Sequence, residues 1–172
     1  MKAFLRTCDA LAVAGRYLAG TLLVCLAALV IYEIGLRFFA SRSTNVVDEY
    51  AGYAMAAVVF LGAADALRNG EHIRIVLAQE VLGERAQVWL ERIVACAGVI
   101  FATLLFYAFL GLTSDAFEYG TRSLSPSRTP LAFPQGVVLF GIGILWLQFV
   151  AFLVRAWSAQ SKKEEHRGIR LG

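Results

Sequence analysis

Glu33 and Arg37 are the charged residues that stand out inside an apolar stretch of this sequence. Their spacing places both side chains on one face of a helix, where a carboxylate and a guanidinium can pair. A charge at the centre of a bilayer costs about 2.5–3.5 kcal/mol on insertion scales, so the pair needs an explanation. It could anchor the end of a helix, face a partner helix, or supply a carboxylate that couples to an ion.

Other residue types that carry chemistry are too few or too scattered for a catalytic or metal site. His72 falls in a predicted loop and His166 near the C-terminus, so no pair could ligate a haem between helices. The cysteines are odd in number and lack C-x-x-C spacing, which favours neither a disulfide framework nor a zinc site. They are Cys8, Cys25 and Cys96. We therefore expect no enzyme activity and no cofactor.

The elements that carry these residues are long apolar runs. Of the 172 residues, 59% are hydrophobic and 17% charged, and the mean hydropathy is +0.65. A soluble domain normally has about a quarter of its residues charged. Residues 93–114 contain no charge and would span roughly 33 Å as a helix, enough to cross a hydrocarbon layer of about 30 Å. The sequence predicts an all-α integral membrane protein with four transmembrane helices.

The four predicted spans form one membrane domain over residues 1–158. Their approximate bounds are 15–40, 50–68, 86–118 and 134–157. Between the second and third spans, residues 73–83 are apolar but too short to cross, which predicts a short interfacial helix. Residues 159–172 are predicted to be a polar cytoplasmic tail.

The basic residues predict the orientation. With both termini in the cytoplasm, only a minority of the 16 Lys and Arg residues would lie outside, namely Arg37, Arg42, Arg122 and Arg128. The positive-inside rule therefore predicts an N-in, C-in protein. Because the basic residues sit at the ends of apolar runs without forming a basic face, we expect membrane lipids and not nucleic acid as partners.

The predicted outer loops offer further polar candidates. Asp48 and Glu49 stand at the start of the second helix, where its exposed N–H groups favour negative charge, so they could cap the helix or contact a partner outside. The loop 120–134 is the longest outer loop and the favoured place for a soluble partner to touch. It holds all three prolines of the chain, Pro126, Pro130 and Pro134.

Two further sets of residues are predicted to have structural roles in the helices. Asp65 lies within a turn of Arg68 and Asn69, so we expect it to pair at the inner end of the second helix. The fourth helix carries glycines that would let a neighbouring backbone approach closely, either within the bundle or on another subunit. They are Gly136, Gly141 and Gly143.

Residues 37–77 resemble the small membrane subunit of tripartite ATP-independent periplasmic (TRAP) transporters, the DctQ-like family. The resemblance lies in Arg37 followed by aromatic residues, Glu49 opening the second helix, the run Phe60-Leu61-Gly62-Ala63-Ala64, and Arg68 spaced before His72-Ile73. As topology, it covers nearly the whole chain, including the proline-containing loop that ends at Pro134.

The resemblance implies a subunit that does not itself hold solute. It implies two protein partners: a large membrane transport subunit that carries the substrate and sodium sites, and a periplasmic binding protein that delivers an organic acid. It also implies the bacterial inner membrane as the location and a scaffold role. On this hypothesis, charged residues of the outer face are candidates for contact with the binding protein. They are Arg42, Asp48, Glu49, Arg122 and Arg128.

Two other functions remain open from the residues alone. A four-helix anchor subunit of a redox complex would share the topology, although matched histidine pairs are missing. A small homo-oligomeric exporter or channel would use Glu33 in transport and would produce solute flux without any partner.

Overall fold

The computed structural model describes residues 2–44, 46–69 and 84–168. The helices in these residues are α1 (Lys2–Ala40), α2 (Val47–Arg68), α3 (Glu84–Glu118) and α4 (Ala132–Gly168). Each contains a segment that is long and apolar enough to cross a membrane. The predicted all-α architecture with four helices capable of spanning a membrane is thus confirmed for the described part of the chain.

Two helices are longer than predicted. α1 begins at Lys2 instead of at about residue 15, and α4 continues to Gly168, through much of the predicted polar tail. At 1.5 Å per residue, each of these helices is longer than about 50 Å, so both extend well past a hydrocarbon layer of about 30 Å. The early start of α1 has a packing reason, because Cys8 and Ala12 are buried. The predicted interfacial helix 73–83 and His72 lie outside the described residues.

The helices differ in how much of their surface the bundle covers. α4 contacts each of the other three helices, and α2 packs against both α1 and α4. α1 and α3 occupy the flanks and expose many large apolar side chains, among them Ile31 and Tyr107. Such faces are suited to lipid or to a partner subunit, because lipid tails are as apolar as leucine.

Two glycines let α1 and α4 approach the α2 backbone closely at Leu61. A Cβ added at Gly15 would lie 2.9 Å from the Leu61 carbonyl oxygen, and one at Gly141 would lie 3.1 Å from the Leu61 nitrogen. Leu61 itself is fully buried. Of the two roles considered for the glycines of the fourth helix, packing within the bundle applies to Gly141 and to Gly143, which lies near Phe106, whereas Gly136 has nothing within 4 Å.

The connector between α3 and α4 is an ordered loop, residues 119–131, which we call the outer loop. An antiparallel bridge joins Arg122 to Pro130, and the Ser123 N–H donates to the Thr129 carbonyl over 2.9 Å. Gly120 has a φ of 60°, a conformation that glycine adopts without steric cost. Pro134 lies in the first turn of α4, where a missing N–H is tolerated.

Candidate functional site

Polar side chains of the bundle gather at its two ends. We name the ends after the predicted orientation. The outer end holds connector residues 41–44 and 46 and the outer loop, and the inner end holds Asp9, Asp65 and Arg155. The start of α1 and the end of the membrane-spanning part of α4 meet at the inner end, because Asp9 contacts both Arg68 and Arg155. The buried polar residues among those described are Glu33, Asp65 and Gln148.

Glu33 is surrounded by donors from its own chain. The predicted pair is present, with Arg37 Nε 2.9 Å from Glu33 Oε1. Ser43 Oγ donates to the same oxygen over 2.6 Å, and Thr44 Oγ1 donates to Oε2 over 2.7 Å. The Thr44 backbone N–H adds contacts of 3.2 and 3.3 Å to the two oxygens.

This arrangement fastens the connector after α1 back onto the helix. Glu33 is only 3% exposed and uses both carboxylate oxygens, which leaves little capacity for a transported ion. Ser41, just past the helix, has a φ of 50°, which turns the chain back towards Glu33. Arg37 also reaches Asp48 of α2 at 3.9 Å. Of the three interpretations, the geometry favours an anchor at a helix end.

Glu49 fastens the outer loop in a similar way. Tyr53 Oη donates to Glu49 Oε1 over 2.6 Å, and Ser127 Oγ of the outer loop donates to Oε2. Thr129 Oγ1 extends the contact, 3.2 Å from Tyr50 Oη. Glu49 lies in the first turn of α2, as predicted, and its carboxylate holds a loop that is distant in sequence. The sequence did not predict this contact between Glu49 and Ser127, because no local spacing relates the two residues.

The outer arginines behave differently from these carboxylates. Arg42, Arg122 and Arg128 are exposed, and no ion pair to them occurs in the described part of the chain. Asp48 is also exposed, with only the long contact to Arg37. Among the predicted outer contacts, Glu49 is therefore committed to the fold, while the other four face the surroundings.

Asp65 organises the inner end. Arg68 Nη1 lies 2.8 Å from Asp65 Oδ1, and Asn69 Nδ2 donates to Oδ2 over 3.3 Å, so both predicted neighbours contact it. Arg16 of α1 adds a contact of 3.4 Å to Oδ2. The Asp65 side chain is only 5% exposed, whereas Arg16 is half exposed and can extend its charge towards water.

Asp9 extends the cluster to α4. Arg155 Nη2 lies 2.6 Å from Asp9 Oδ1, and Arg68 Nε lies 3.8 Å from the same atom. Nearby, Gln148 Nε2 donates to the Cys8 carbonyl over 2.8 Å. Three helices are thus joined by ion pairs that sequence reasoning did not find. The missed signal is the spacing of Asp9 and Arg16, which two turns of helix place on one face.

The family follows from a comparison with known proteins. Residues 26–159 match the model of the family described as tripartite ATP-independent periplasmic transporters, DctQ component. The chain belongs to this family. The DctQ component is the small permease subunit of a TRAP transporter, so the suspected resemblance is confirmed. No curated protein and no solved structure matches the chain.

The DctQ match covers the polar residues described at the outer end of the bundle but only some of those at the inner end. Arg37, Glu49, Arg68 and Pro134 lie within the matched residues, and the structure places the first two at the outer end and Arg68 at the inner end. Asp9 and Arg16 precede the matched region. His72 belongs to the match but not to the described residues.

The described part of this DctQ component contains an apolar groove. The groove has a volume of about 640 Å³ and runs along α4 between α3 and α1. Its polar lining residue Thr103 already accepts a hydrogen bond from Trp146 Nε1 over 2.8 Å. Across the described residues, no group of three His, Cys, Asp or Glu side chains could hold a metal ion. The groove offers no charged side chain to an organic acid.

Proposed function

We propose that this DctQ component is a scaffold that holds the large transport subunit during sodium-driven, binding-protein-dependent uptake of an organic acid. The large subunit would carry the solute and sodium sites. The chain would lie in the bacterial inner membrane with both termini in the cytoplasm, in accord with the distribution of its Lys and Arg residues.

The observation that carries this proposal is that the buried polar groups are occupied by the chain's own donors and acceptors. Glu33 binds a connector, Asp65 binds arginines, and Gln148 binds a backbone carbonyl. A carboxylate that coupled transport to an ion would need a free ligand position and access to water. In the described residues these groups serve the fold instead.

A scaffold also has to resist deformation while its partner moves. At the inner end, Asp9 links Arg68 of α2 to Arg155 of α4. Together with the close approach of Gly141 to Leu61 and the loop contact at Glu49, this holds α2 and α4 in one register. Interior packing of this kind has discrete arrangements and does not deform continuously. The exposed apolar faces of α1 and α3 leave room for the large subunit and for membrane lipids.

The outer end supplies the surface for the periplasmic binding protein. Its exposed charged residues include Arg42, Asp48, Arg122 and Arg128, and Asp115 and Glu118 at the end of α3 are exposed as well. This surface therefore carries charges of both signs. Complementary charges on a partner would raise the association rate more than the affinity.

The test is affinity purification of the tagged chain in mild detergent, followed by reconstitution. We expect a large polytopic subunit to co-purify, and uptake of a labelled dicarboxylate or sialic acid to require that subunit, the binding protein and a sodium gradient. The chain alone should give no flux. Flux from the chain alone that Glu33→Gln abolishes would overturn the scaffold role in favour of a homo-oligomeric exporter. A haem signal in the reduced-minus-oxidised spectrum would favour a redox anchor.

A further inference from the structure

Arg92 of α3 lies against two tryptophan rings at the inner end of the bundle. Its guanidinium carbon is 4.8 Å from the ring centroid of Trp157 in α4 and 5.8 Å from that of Trp89, one turn earlier in α3. We call these three residues the Trp–Arg cluster. Tryptophan and arginine are common at membrane interfaces, so neither residue type needs an explanation by itself. What distinguishes this cluster is that two helices contribute to it at one depth.

The position of the cluster along α3 and α4 places it at a membrane interface. The uncharged run 93–114 separates Arg92 from the exposed Asp115 near the outer end of α3. As a helix this run spans roughly 33 Å, slightly more than a hydrocarbon layer of about 30 Å. In α4 the distance from Pro134 to Trp157 is similar, about 34 Å. Arg92 and Trp157 therefore lie together where both helices leave the hydrocarbon.

Close packing of α3 on α4 keeps Arg92 and Trp157 at this common depth. A Cβ added at Gly98 would overlap the Phe149 ring, so the two helices approach closely next to the cluster. Farther towards the outer end, Trp146 Nε1 donates to Thr103 Oγ1 over 2.8 Å. On each helix this second contact lies about three turns from the cluster, which puts both contacts on one face of the helix. The two contacts therefore follow one seam between α3 and α4.

The Trp–Arg cluster offers hydrogen-bond donors to an anionic oxygen. Stacking uses the faces of a guanidinium, whereas its N–H groups lie in its plane, in a geometry that fits a phosphate. The indole N–H of Trp146 is bonded to Thr103, but in residues 2–44, 46–69 and 84–168 those of Trp89 and Trp157 have no acceptor. Both of these rings are exposed. Three donor groups thus meet at one membrane interface.

The charges around the cluster also favour an anion. Glu91 is exposed, but it is next to Arg92 in the helix and so points about 100° away from it. Arg155 of α4 is paired with Asp9. Among the side chains that the structure describes at the inner end, arginines outnumber carboxylates. They are Arg6, Arg16, Arg68, Arg92 and Arg155, against Asp9, Asp65 and Glu91.

We propose that the Trp–Arg cluster binds the phosphate of a phospholipid of the inner leaflet, with one acyl chain lying along the seam between α3 and α4. Three turns of helix measure about 16 Å, close to half of a hydrocarbon layer of about 30 Å. A chain that starts at the cluster would therefore end near Thr103 and Trp146, which line the apolar groove. This binding site goes beyond the scaffold role and does not depend on the transported solute.

The seam favours a lipid over two other occupants. A free phosphate ion would use the donors but not the apolar surface that continues from them. A partner helix would cover the seam but would have to bring an acid to the same depth, whereas every phospholipid carries a phosphate there. We expect a preference for headgroups with a net negative charge, because a zwitterionic headgroup brings an ammonium group near the guanidinium.

The experiment measures lipid binding to the full chain in detergent by native mass spectrometry, with phosphatidylglycerol as the probe. We expect one molecule to bind, and phosphatidylcholine to bind more weakly. Arg92→Gln should weaken phosphatidylglycerol binding by about tenfold, because charge-assisted hydrogen bonds to the phosphate are lost. Arg92→Lys, which keeps the charge, should recover part of the affinity. Arg6→Gln, at an exposed position of α1 near the same end, is the matched control and should leave binding unchanged.

Trp157→Phe tests the site without removing a ring from the packing. It deletes one indole N–H, and we expect phosphatidylglycerol binding to weaken by about threefold while thermal unfolding stays the same. Equal binding in Arg92→Gln, Trp157→Phe and the unaltered chain would overturn the lipid site and leave the scaffold role intact. Displacement of the lipid by inorganic phosphate would assign a free-phosphate site and would also overturn it.

The path of the acyl chain can be mapped with a phosphatidylglycerol that carries a diazirine near the end of one chain. Labelling concentrated at Thr103 and Trp146 supports the proposal, whereas labelling spread over the exposed faces of α1 and α3 would indicate only annular lipid and would contradict it. In native membranes, a photo-crosslinker at Cys96, an exposed position between the cluster and Thr103, should capture lipid. Capture of another polypeptide there would show a protein interface instead.

Discussion

The outer and inner ends of the bundle use carboxylates for different purposes. At the outer end, Glu33 and Glu49 accept hydrogen bonds from hydroxyl groups of segments that connect the helices. At the inner end, Asp9 and Asp65 pair with arginines that belong to three different helices. The first kind of contact fixes loops onto helices, and the second fixes helices to one another.

This difference indicates how stability and recognition are divided along the molecule. Changes at the inner end should loosen the bundle as a whole, because they leave arginines without their counter-charges. Changes at the outer end should release a loop while the helices remain packed, because local segments can open with far less free energy than the whole fold. Each of the following experiments measures one side of this comparison.

The largest effect is expected for Asp65→Ala. It removes the shared partner of Arg16 and Arg68 at a site where the carboxylate is almost fully buried. We expect a loss of about 2 kcal/mol in the free energy of unfolding, because the carboxylate is buried but the arginines it would leave are one-third to one-half exposed. Thermal unfolding of the purified complex in detergent measures it. Asp115→Ala, at an exposed position near the end of α3, is the control; equal losses in both variants would contradict the role of the inner cluster.

Glu33→Ala should act locally. Without the carboxylate, Ser43 and Thr44 lose their acceptor, so the connector should open more often. Trypsin added from the outer side should then cut after Arg42 roughly tenfold faster, in proportion to the open population. Glu33→Gln keeps one acceptor oxygen and should give an intermediate rate. Cleavage after Arg122 serves as the internal control, and a rise there as well would mean that the outer end had unfolded as a unit.

A charge exchange tests the pair between α1 and α4. Asp9→Arg should destabilise the bundle by placing three guanidinium groups together, and adding Arg155→Asp should recover part of that loss. Because Asp9 and Arg155 are each about one-third exposed, we expect a coupling of only about 1 kcal/mol. A double-mutant cycle on thermal unfolding measures it. No recovery in the double variant would show that the contact contributes nothing.

The smallest effect is expected for Ser127→Ala. This change removes one of the serine hydroxyls that join the outer loop to Glu49, while the backbone hydrogen bonds of the loop remain. Trypsin cleavage after Arg128 should rise by a factor of about three, and thermal stability should stay unchanged. Ser114→Ala, whose hydroxyl bonds only its own helix, is the control. A marked loss of thermal stability in Ser127→Ala would mean that the outer loop supports the bundle.

The sequence revealed the parts of this fold that are encoded locally. Four spans could be predicted because a continuous run of about 20 apolar residues indicates a membrane helix. The contacts of Arg37 with Glu33 and of Arg68 with Asp65 could be predicted because they lie within one helical turn.

The remaining contacts depend on which helices are neighbours. Arg155 and Asp9 are 146 residues apart, and Ser127 and Glu49 are 78 apart. No periodicity relates such positions, so the contacts of Arg155 with Asp9 and of Ser127 with Glu49 escaped notice. For the same reason the sequence did not predict that the Glu49 carboxylate accepts a hydrogen bond from Ser127 of a distant loop. Gly141 could be predicted to pack closely, but its target at Leu61 could not.

The close contacts of Gly15 and Gly141 with the backbone at Leu61 fix the position of α2 relative to α1 and α4. The same helix carries Glu49 at its outer end and Asp65 near its inner end, and its middle is in close contact with α1 and α4. A single residue inserted between them would rotate one end against the other by about 100° and shift it by about 1.5 Å. Either the contact of Glu49 with the outer loop or the ion pairs of Asp65 would then be lost. The length of α2 between Glu49 and Asp65 therefore sets the relative orientation of the two ends of the bundle.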